Sequence, residues 1–274
     1  MNTTLGDFRG TLLLVGAGKM GAALLEGWLA RGLAPERVAV VEPQPSPQIA
    51  RHAAQGLRLN PVHEALQADV VVVAVKPQTA PEVLAEVGPL VGAASLVISI
   101  MAGRTLGFLQ AALPTGTAIV RSMPNTPAAI GRGITVAVPN SAVTPAQRQI
   151  ATDLLAAAGA VEWTDDEALL DAVTAVSGSG PAYVFLLAEC LARAGARAGL
   201  PPGLAERLAR ATVAGAGELL HRSAEPAATL RRNVTSPGGT TAAAIEVLTA
   251  PDGLDPLMER AVAAATRRSK ELGS

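Results

Sequence analysis

"TLLLVGAGKMGAALLEGWLA", residues 11–30, decides the fold class of this 274-residue chain. Residues 11–15 form an apolar run that is too short for a helix and ends at glycine, which predicts a buried strand. The turn Gly16-Ala17-Gly18-Lys19-Met20-Gly21 follows, and a helix runs on to Arg31. In this setting glycines allow a tight turn, and the helix N-terminus attracts a pyrophosphate. The stretch therefore predicts dinucleotide binding, with a purely structural turn as the alternative.

Strand and helix patterns alternate through the rest of the first half. A sheet with helices on both faces follows from such alternation, so we predict a doubly wound α/β domain of the Rossmann type. The further strands are expected at 37–42, 69–77, 95–100, 117–121, 133–138 and around 160–163, and the helices at 79–91, 104–112 and 144–158.

The pattern changes near residue 165, after which only helices are expected. We therefore predict a Rossmann dinucleotide-binding domain over 1–164 and an all-helical substrate-binding and dimerisation domain over 165–274. Asp255 is a candidate N-cap and Gly273 a candidate terminator of the last helix. The predicted helices cover 166–176, 181–198, 202–222, 240–249 and 256–271.

The composition excludes several classes of function. Net charge is −1 and aromatic residues make up 2%, so nucleic acid is not an expected partner. The first ten residues carry no cationic-then-apolar signal sequence, and the apolar run 70–75 is too short to span a bilayer. A single cysteine, Cys190, excludes an intrachain disulfide framework. We expect a cytoplasmic protein with no membrane partner.

The helix at 181–198 is apolar on most of its surface. Glu189, Arg193 and Arg197 recur every four residues and form one narrow polar stripe. A small helical domain cannot bury so much apolar surface, so we expect this helix to lie between subunits. The alternative is a central core helix of a monomer. Cys190 lies within this helix, where an inert buried thiol is expected.

Candidate ligand residues follow the predicted strands. Glu42, about twenty residues after Gly21, can accept both ribose hydroxyls of NAD and would repel the 2′-phosphate of NADP. Lys76, Pro77 and Asn125 end later strands at the same edge of the sheet, where ligands of such folds bind. The alternatives are a solvated Glu42, a solvated Lys76 and an Asx-turn at Asn125.

Two hydroxyl-rich turns each open a helix in the second half. They are "AVSGSGPAYVF", residues 175–185, which contains Ser177, and "NVTSPGGTT", residues 233–241. A helix N-terminus offers backbone N–H groups and partial positive charge, which suit a substrate carboxylate. The alternative is that both turns are simply caps. His52, His63 and His221 lack partners at metal-ligand spacing, so no metal site is predicted.

Together these motifs resemble the Δ1-pyrroline-5-carboxylate reductase family. GAGKMG, AVKPQ, MPNTP, AVSGSGPAYVF and NVTSPGGTTAAAIEVL stand in that family's order and spacing from about Thr11 to Leu272. The resemblance implies a Rossmann domain and a helical domain that intertwines with its twin, giving homodimers that often assemble further, commonly into decamers. It implies NADPH as the usual cofactor, whereas Glu42 favours NADH. Thr240 stands where some relatives have alanine, a difference expected to be harmless.

The resemblance also implies most members of the site, which is expected to hold substrate and cofactor. The substrate-binding positions that it implies are Glu167, Asn233, Thr240 and Thr241, and the two hydroxyl-rich turns add Ser177 and Gly239 as expected substrate positions. The cofactor-binding positions that it implies are Val15, Gly16, Ala17, Gly18, Lys19, Met20, Glu42, Ala74, Val75, Lys76, Pro77, Ile100, Met101 and Ala102. We expect Asn60 and Asn125 to bind the cofactor as well.

The expected chemistry is hydride transfer to a protonated cyclic imine. Reduction of a ketone calls for a positioned acid, yet the apolar helix contains no lysine to serve as one. A cyclic iminium already holds its proton, so positioning is enough. We expect Thr241 to hydrogen-bond the ring nitrogen or carboxylate, and Lys76 to orient the nicotinamide. The alternatives are another imine or hydroxyacid reductase of this architecture, or a non-catalytic dinucleotide sensor.

Overall fold

The computed structural model describes residues 4–61 and 66–273, which form two compact units. The first comprises Met1–Gly178 and Ala265–Ser274, and the second Ser179–Ala264. His63 lies outside the described residues. The domain boundary predicted at 164/165 stays a prediction.

The first unit contains an eight-stranded sheet in the order β3-β2-β1-β4-β5-β6-β7-β8. Every neighbouring pair is parallel except β6 and β7. The chain order reverses between β1 and β4, which is where ligands of doubly wound sheets bind. The predicted fold class is confirmed. The strands are β1 Leu12–Val15, β2 Val38–Val41, β3 Arg58–Leu59, β4 Ala68–Val73, β5 Val91–Ser99, β6 Ala118–Met123, β7 Gly133–Pro139 and β8 Gly159–Trp163.

The described residues form eleven α-helices, and a π-helical turn, Thr174–Gly178, lies between α6 and α7. Single π-turns inside helices are rare and often occur at functional sites. The helices are α1 Lys19–Ala30, α2 Pro47–Ala53, α3 Ala80–Val87, α4 Leu106–Ala112, α5 Pro145–Leu155, α6 Leu169–Val173, α7 Gly180–Arg197, α8 Pro202–Arg222, α9 Ala227–Asn233, α10 Thr240–Leu248 and α11 Leu254–Gly273.

Alternation along the central strands gives the sheet two apolar faces. Leu12 and Leu14 of β1 pack into one core cluster with residues of α1, α2 and α5. Leu13 and Val15 point the other way and pack with residues of α3 and α4. Because both faces are covered, the strands are apolar nearly throughout, and the carboxyl edge of the sheet is left for ligands.

The second unit exposes large apolar side chains along α7. No residue of α7 is buried within the chain, and Phe185 and Leu187 are 64% and 55% exposed. Cys190 is exposed as well, so the chain alone does not bury this thiol as expected. Among the described helices, the run Leu169–Arg197 has the length and the apolar composition of a helix that could cross a membrane. Only 6% of its most apolar stretch is buried. Such a surface indicates a protein partner or another apolar cover.

Most predicted elements are present, with local differences. The structure adds β3, α2 and α9, which the sequence patterns did not predict. The helix expected over 166–176 is divided into α6 and the π-turn. Asp255 does not cap α11, because the helix begins one residue earlier, at Leu254. Its carboxylate lies in the first turn, where a negative charge interacts favourably with the helix dipole.

An ion pair joins α1 to α2. His52 Nε2 lies 2.7 Å from Glu26 Oε1, and His52 Nδ1 lies 3.1 Å from Gln55 Oε1. Burial lowers the pKa of His52, but the hydrogen bonds to Glu26 and Gln55 and the charge of Glu26 outweigh it, so the pKa is raised above 6.5. A raised folded-state pKa means that the protonated form stabilises the fold.

We expect the free energy of unfolding to contain a pH-dependent part from this pair. Its contribution is fully present below the unfolded-state pKa of 6.5 and is lost as pH rises through the raised folded-state pKa. Glu26→Gln should remove at most about 1 kcal/mol of stability at about pH 5.5 and less at about pH 8.5. Urea unfolding at fixed protein concentration measures this, with the exposed Glu86→Gln as control. A pH-independent difference would contradict it.

Candidate active site

The three glycines of the first turn have different spatial roles. Gly16 has φ +87°, and a β-carbon on it would lie 2.8 Å from the carbonyl oxygen of Ala74. A β-carbon on Gly21 would overlap the carbonyl oxygen of Gly16. At Gly18, the N-cap of α1, no described heavy atom lies within 4 Å of that position. The outer glycines thus allow close packing, and the middle one leaves open space at a helix N-terminus, the kind of position at which phosphates bind.

The carboxylate of Glu42 is fixed beside this turn. Its Oε2 accepts a hydrogen bond from the Ala17 N–H at 2.7 Å, and its Oε1 accepts one from the Gln44 N–H at 3.0 Å. Asn60, with φ +48°, holds the Glu42 backbone from both sides: its Oδ1 accepts from the Glu42 N–H at 2.8 Å, and its Nδ2 donates to the Glu42 carbonyl at 3.0 Å. The negative charge therefore has a defined place at the end of β2.

The first residues of the loops after β4 and β5 continue the backbone hydrogen bonding between neighbouring strands. The Ala74 N–H donates to the Val15 carbonyl at 2.7 Å, and the Ile100 N–H donates to the Val73 carbonyl at 3.1 Å. Met101 is buried and Ala102 half-buried. These loops therefore lie at the carboxyl edge, where the cofactor positions Ala74 to Pro77 and Ile100 to Ala102 were expected. Within them, Val75 and Pro77 are half-buried and Lys76 is exposed.

Asn125 joins the end of β6 to the π-turn. Its Nδ2 donates to Ser177 Oγ at 3.2 Å, and its Oδ1 accepts from the Ile134 N–H at 3.0 Å. A β-carbon on Gly178 would lie 2.5 Å from the Met123 methyl carbon, so the turn packs closely against this edge. The Asn125 side chain thus links separate segments and does not form a local Asx-turn. It fixes the position of the Ser177 hydroxyl.

Glu167 links two elements of the first unit. Its Oε1 accepts from the Leu106 N–H at the start of α4, at 2.7 Å, and lies 2.6 Å from Arg121 Nη1. Arg121 is buried on β6, with its side chain 7% exposed. A buried guanidinium needs a paired charge, because an unpaired one is costly. Glu167 therefore has a structural partner in addition to its expected role with the substrate.

The second glycine turn opens α10. Gly238 has φ +70°, and the Gly239 N–H donates to the Ser236 carbonyl at 3.0 Å. The amides of Thr240, Thr241 and Ala242 precede the first hydrogen bond into the helix, from the Ala243 N–H to the Gly239 carbonyl at 3.2 Å. Among the described side chains, none caps this helix. Its N-terminal amides are therefore available to an anion.

The predicted site residues form two groups. All the predicted cofactor positions, with Glu167 and Ser177, belong to the first unit. Asn233 and Gly239 to Thr241 belong to the second, where Asn233 Nδ2 donates to Glu225 Oε2 at 3.3 Å. Within the described ranges, no three metal-binding side chains come together.

Sequence patterns missed several polar contacts at the carboxyl edge. Arg104 Nε and Nη2 both donate to the Pro77 carbonyl, at 2.9 and 2.6 Å. Ser269 Oγ donates to Asp171 Oδ1 at 2.6 Å across 98 residues of chain. For Arg121 a signal existed, because an arginine inside the apolar strand predicted at 117–121 needs a partner. For Arg104 and Ser269 no local pattern points to the contact.

Family profiles match both parts of the chain. Residues 167–272 match the profile described as "Pyrroline-5-carboxylate reductase dimerisation", so the exposed α7 lies in a self-association domain. Residues 11–103 match "NADP oxidoreductase coenzyme F420-dependent".

Individual relatives match nearly the whole chain. A pyrroline-5-carboxylate reductase of Pseudomonas aeruginosa is 41% identical over 95% of this chain and 96% of its own length. A solved pyrroline-5-carboxylate reductase of Coxiella burnetii is 35% identical, with a TM-score of 0.88 over 97% of this chain and 99% of that one. The pyrroline carboxylate reductase of Plasmodium falciparum, solved with NADP bound, is 31% identical, with a TM-score of 0.81 over 97% and 99%. The chain belongs to the pyrroline-5-carboxylate reductase family.

Proposed function

We propose that this protein catalyses the NAD(P)H-dependent reduction of 1-pyrroline-5-carboxylate to L-proline, the last step of proline biosynthesis. The observation that carries the proposal is the uncapped N-terminus of α10, which opens the NVTSPGGTT turn in a chain of this family. A helix N-terminus with available amides suits the substrate's carboxylate. The same chain has a glycine turn shaped for a dinucleotide at the start of α1.

The first unit holds the cofactor. The amides at the start of α1 bind the pyrophosphate beside Gly18, the Glu42 carboxylate binds the ribose hydroxyls, and the loops at 74–77 and 100–102 line the cofactor. When bound, the reduced nicotinamide supplies the hydride. Lys76, exposed at the end of β4, orients the nicotinamide end. Asn60 and Asn125 act by holding Glu42 and Ser177 in place, which the hydrogen bonds of their side chains support.

The second glycine turn holds the substrate. The amides of Thr240 and Thr241 bind the carboxylate, since the Gly239 N–H is already engaged with the Ser236 carbonyl. The Thr241 hydroxyl hydrogen-bonds the ring nitrogen or carboxylate. Asn233, in the same unit, contacts the substrate as well. Glu167 contributes through Oε2, since Oε1 is engaged by Arg121 and Leu106. The protonated imine needs no acid during hydride transfer, so these residues accelerate the reaction by positioning.

Kinetics with purified enzyme test the proposal. Oxidation of NADH and NADPH is followed with 1-pyrroline-5-carboxylate, 1-pyrroline-2-carboxylate and simple ketoacids as separate substrates. We expect a kcat/KM for 1-pyrroline-5-carboxylate well above the other values. Faster turnover of a ketoacid or of the isomeric imine would favour another reductase of this architecture. Cofactor binding without turnover of any imine would favour a dinucleotide sensor.

We propose a cytoplasmic homodimer, with assembly to a decamer as an extension. The apolar side chains of α7 support the dimer, because they are exposed in the chain and lie within the dimerisation domain.

A charge on α7 is expected to prevent dimerisation. Leu187→Glu should give a monomer in light scattering, because an unpaired carboxylate in an apolar interface is costly. The matched control is Ile130→Glu, since Ile130 is 77% exposed and lies outside residues 167–272. Retention of the native oligomer by Leu187→Glu would remove this face from the interface.

A further inference from the structure

The last turn of α11 contacts the loop after β5. A β-carbon on Gly103 would lie 3.1 Å from the Leu272 carbonyl oxygen, and one on Gly273 would lie 2.9 Å from the Gly103 carbonyl oxygen. Gly103 also has φ +74°, which favours glycine. The two backbones therefore meet with no room for a side chain on either. Gly103 directly follows the predicted cofactor positions Ile100 to Ala102.

A hydrogen bond from a buried serine holds the same turn of α11. Ser269 is 5% exposed, and its Oγ donates to Asp171 Oδ1 at 2.6 Å. Next to it, Lys270 and Gly273 line a cavity of about 250 Å³ together with Gly103, Thr105, Arg121 and Asp171. The turn is thus held by a charge-assisted hydrogen bond, and such bonds are stronger than those between neutral groups.

The side chain of Arg104, the residue after Gly103, contacts the other predicted cofactor loop. Its guanidinium donates twice to the Pro77 carbonyl, at 2.9 and 2.6 Å, and lies 4.5 Å from the centre of the Phe108 ring. Pro77 ends the predicted cofactor loop at 74–77. One continuous series of contacts therefore runs from α11 through Gly103 and Arg104 to both loops.

We propose that the last turn of α11 and Arg104 form a brace that fixes both cofactor loops, at 74–77 and 100–102. Gly103, Arg104, Ser269 and Gly273 are its positioning residues. The brace holds the backbones of both loops in the binding conformation before the dinucleotide arrives. Binding therefore does not have to include the entropy cost of ordering these loops. The inference rests on the proposed function only in the identity of the ligand.

The test uses Gly273→Ala and Arg104→Gln in the full-length enzyme. Gly273→Ala inserts a methyl group into the contact with Gly103, and Arg104→Gln removes the double hydrogen bond to Pro77. We expect each variant to raise the Kd for NADH, measured by fluorescence titration, by about 5- to 50-fold, the range that overpacking or loss of a charged hydrogen bond implies. The KM for the imine should change less than twofold, in keeping with a local effect.

Hydrogen exchange of the cofactor-free enzyme gives a second readout. Amides at 74–76 and 102–104 should exchange faster in both variants, because the loops open locally. Gly107→Ala is the control, since its β-carbon would meet only Thr105 Oγ1, at 3.8 Å. Equal NADH affinity and equal loop exchange in variant and native enzyme would overturn the brace, as would changes no larger than those in the control. If the native enzyme binds neither NADH nor NADPH, the proposed function fails, and loop exchange alone decides on the brace.

Discussion

Glu42→Ser should change the cofactor preference towards NADPH. We expect the ratio of kcat/KM for NADPH to kcat/KM for NADH to rise by about 10- to 1,000-fold, because opposed like charges cost several kcal/mol. The carboxylate is held by the Ala17 and Gln44 amides, so it cannot easily turn away from a 2′-phosphate. With serine at this position those amides are released and become available to the phosphate.

Glu42→Gln separates charge from geometry in this experiment. Glutamine keeps an oxygen that can accept from the Ala17 N–H but carries no charge. It should therefore recover much of the NADPH activity while disturbing the turn little. Glu86→Ser, an exposed change on α3, serves as the surface control. If both Glu42 variants keep the native ratio, this carboxylate does not set the preference.

Thr241→Ala should lower kcat/KM for 1-pyrroline-5-carboxylate by about one to three orders of magnitude, the value of one or two hydrogen bonds made in the transition state. The expected loss lies mainly in kcat if the hydroxyl acts on the ring nitrogen as its charge changes. It lies mainly in KM if the hydroxyl holds the carboxylate equally in both states. Steady-state kinetics at saturating cofactor distinguish the two.

Thr240→Ala is the matched control, because it removes the neighbouring hydroxyl from the same turn of α10. Its backbone N–H remains, so activity should stay within about threefold, less than one hydrogen bond is worth. Thr241→Ser should recover most of the activity lost in Thr241→Ala. An unchanged kcat/KM in Thr241→Ala would exclude Thr241 from the mechanism.

The sequence predicted the elements whose patterns are local and repeated. The valine-rich β4 and the turn at 16–21 need only the strand and glycine rules, and both were predicted. The elements missed were short. β3 has two residues, too few for an alternating pattern to appear, and α9 has seven. α2 did carry a signal, since Ser46 and Pro47 form an N-cap followed by a first-turn proline.

The contacts that complete the site could not be predicted, because they join distant parts of the chain. Arg121 and Glu167 are 46 residues apart, and Ser269 and Asp171 are 98 residues apart. As long as the fold is unknown, the spacing of residues in the sequence does not show that such pairs are in contact. The π-turn at 174–178 also meets a distant part of the chain, since a β-carbon on Gly178 would lie 2.5 Å from the Met123 methyl carbon.

The bare apolar face of α7 has a consequence for how the chain reaches its working form. A chain that leaves apolar surface exposed can bury it only by associating with another chain, which is a bimolecular step. The rate of this association falls as the concentration of the protein in the cell falls. Newly made chains remain prone to aggregation until they associate. Abundance and correct assembly are thereby tied together by one helix.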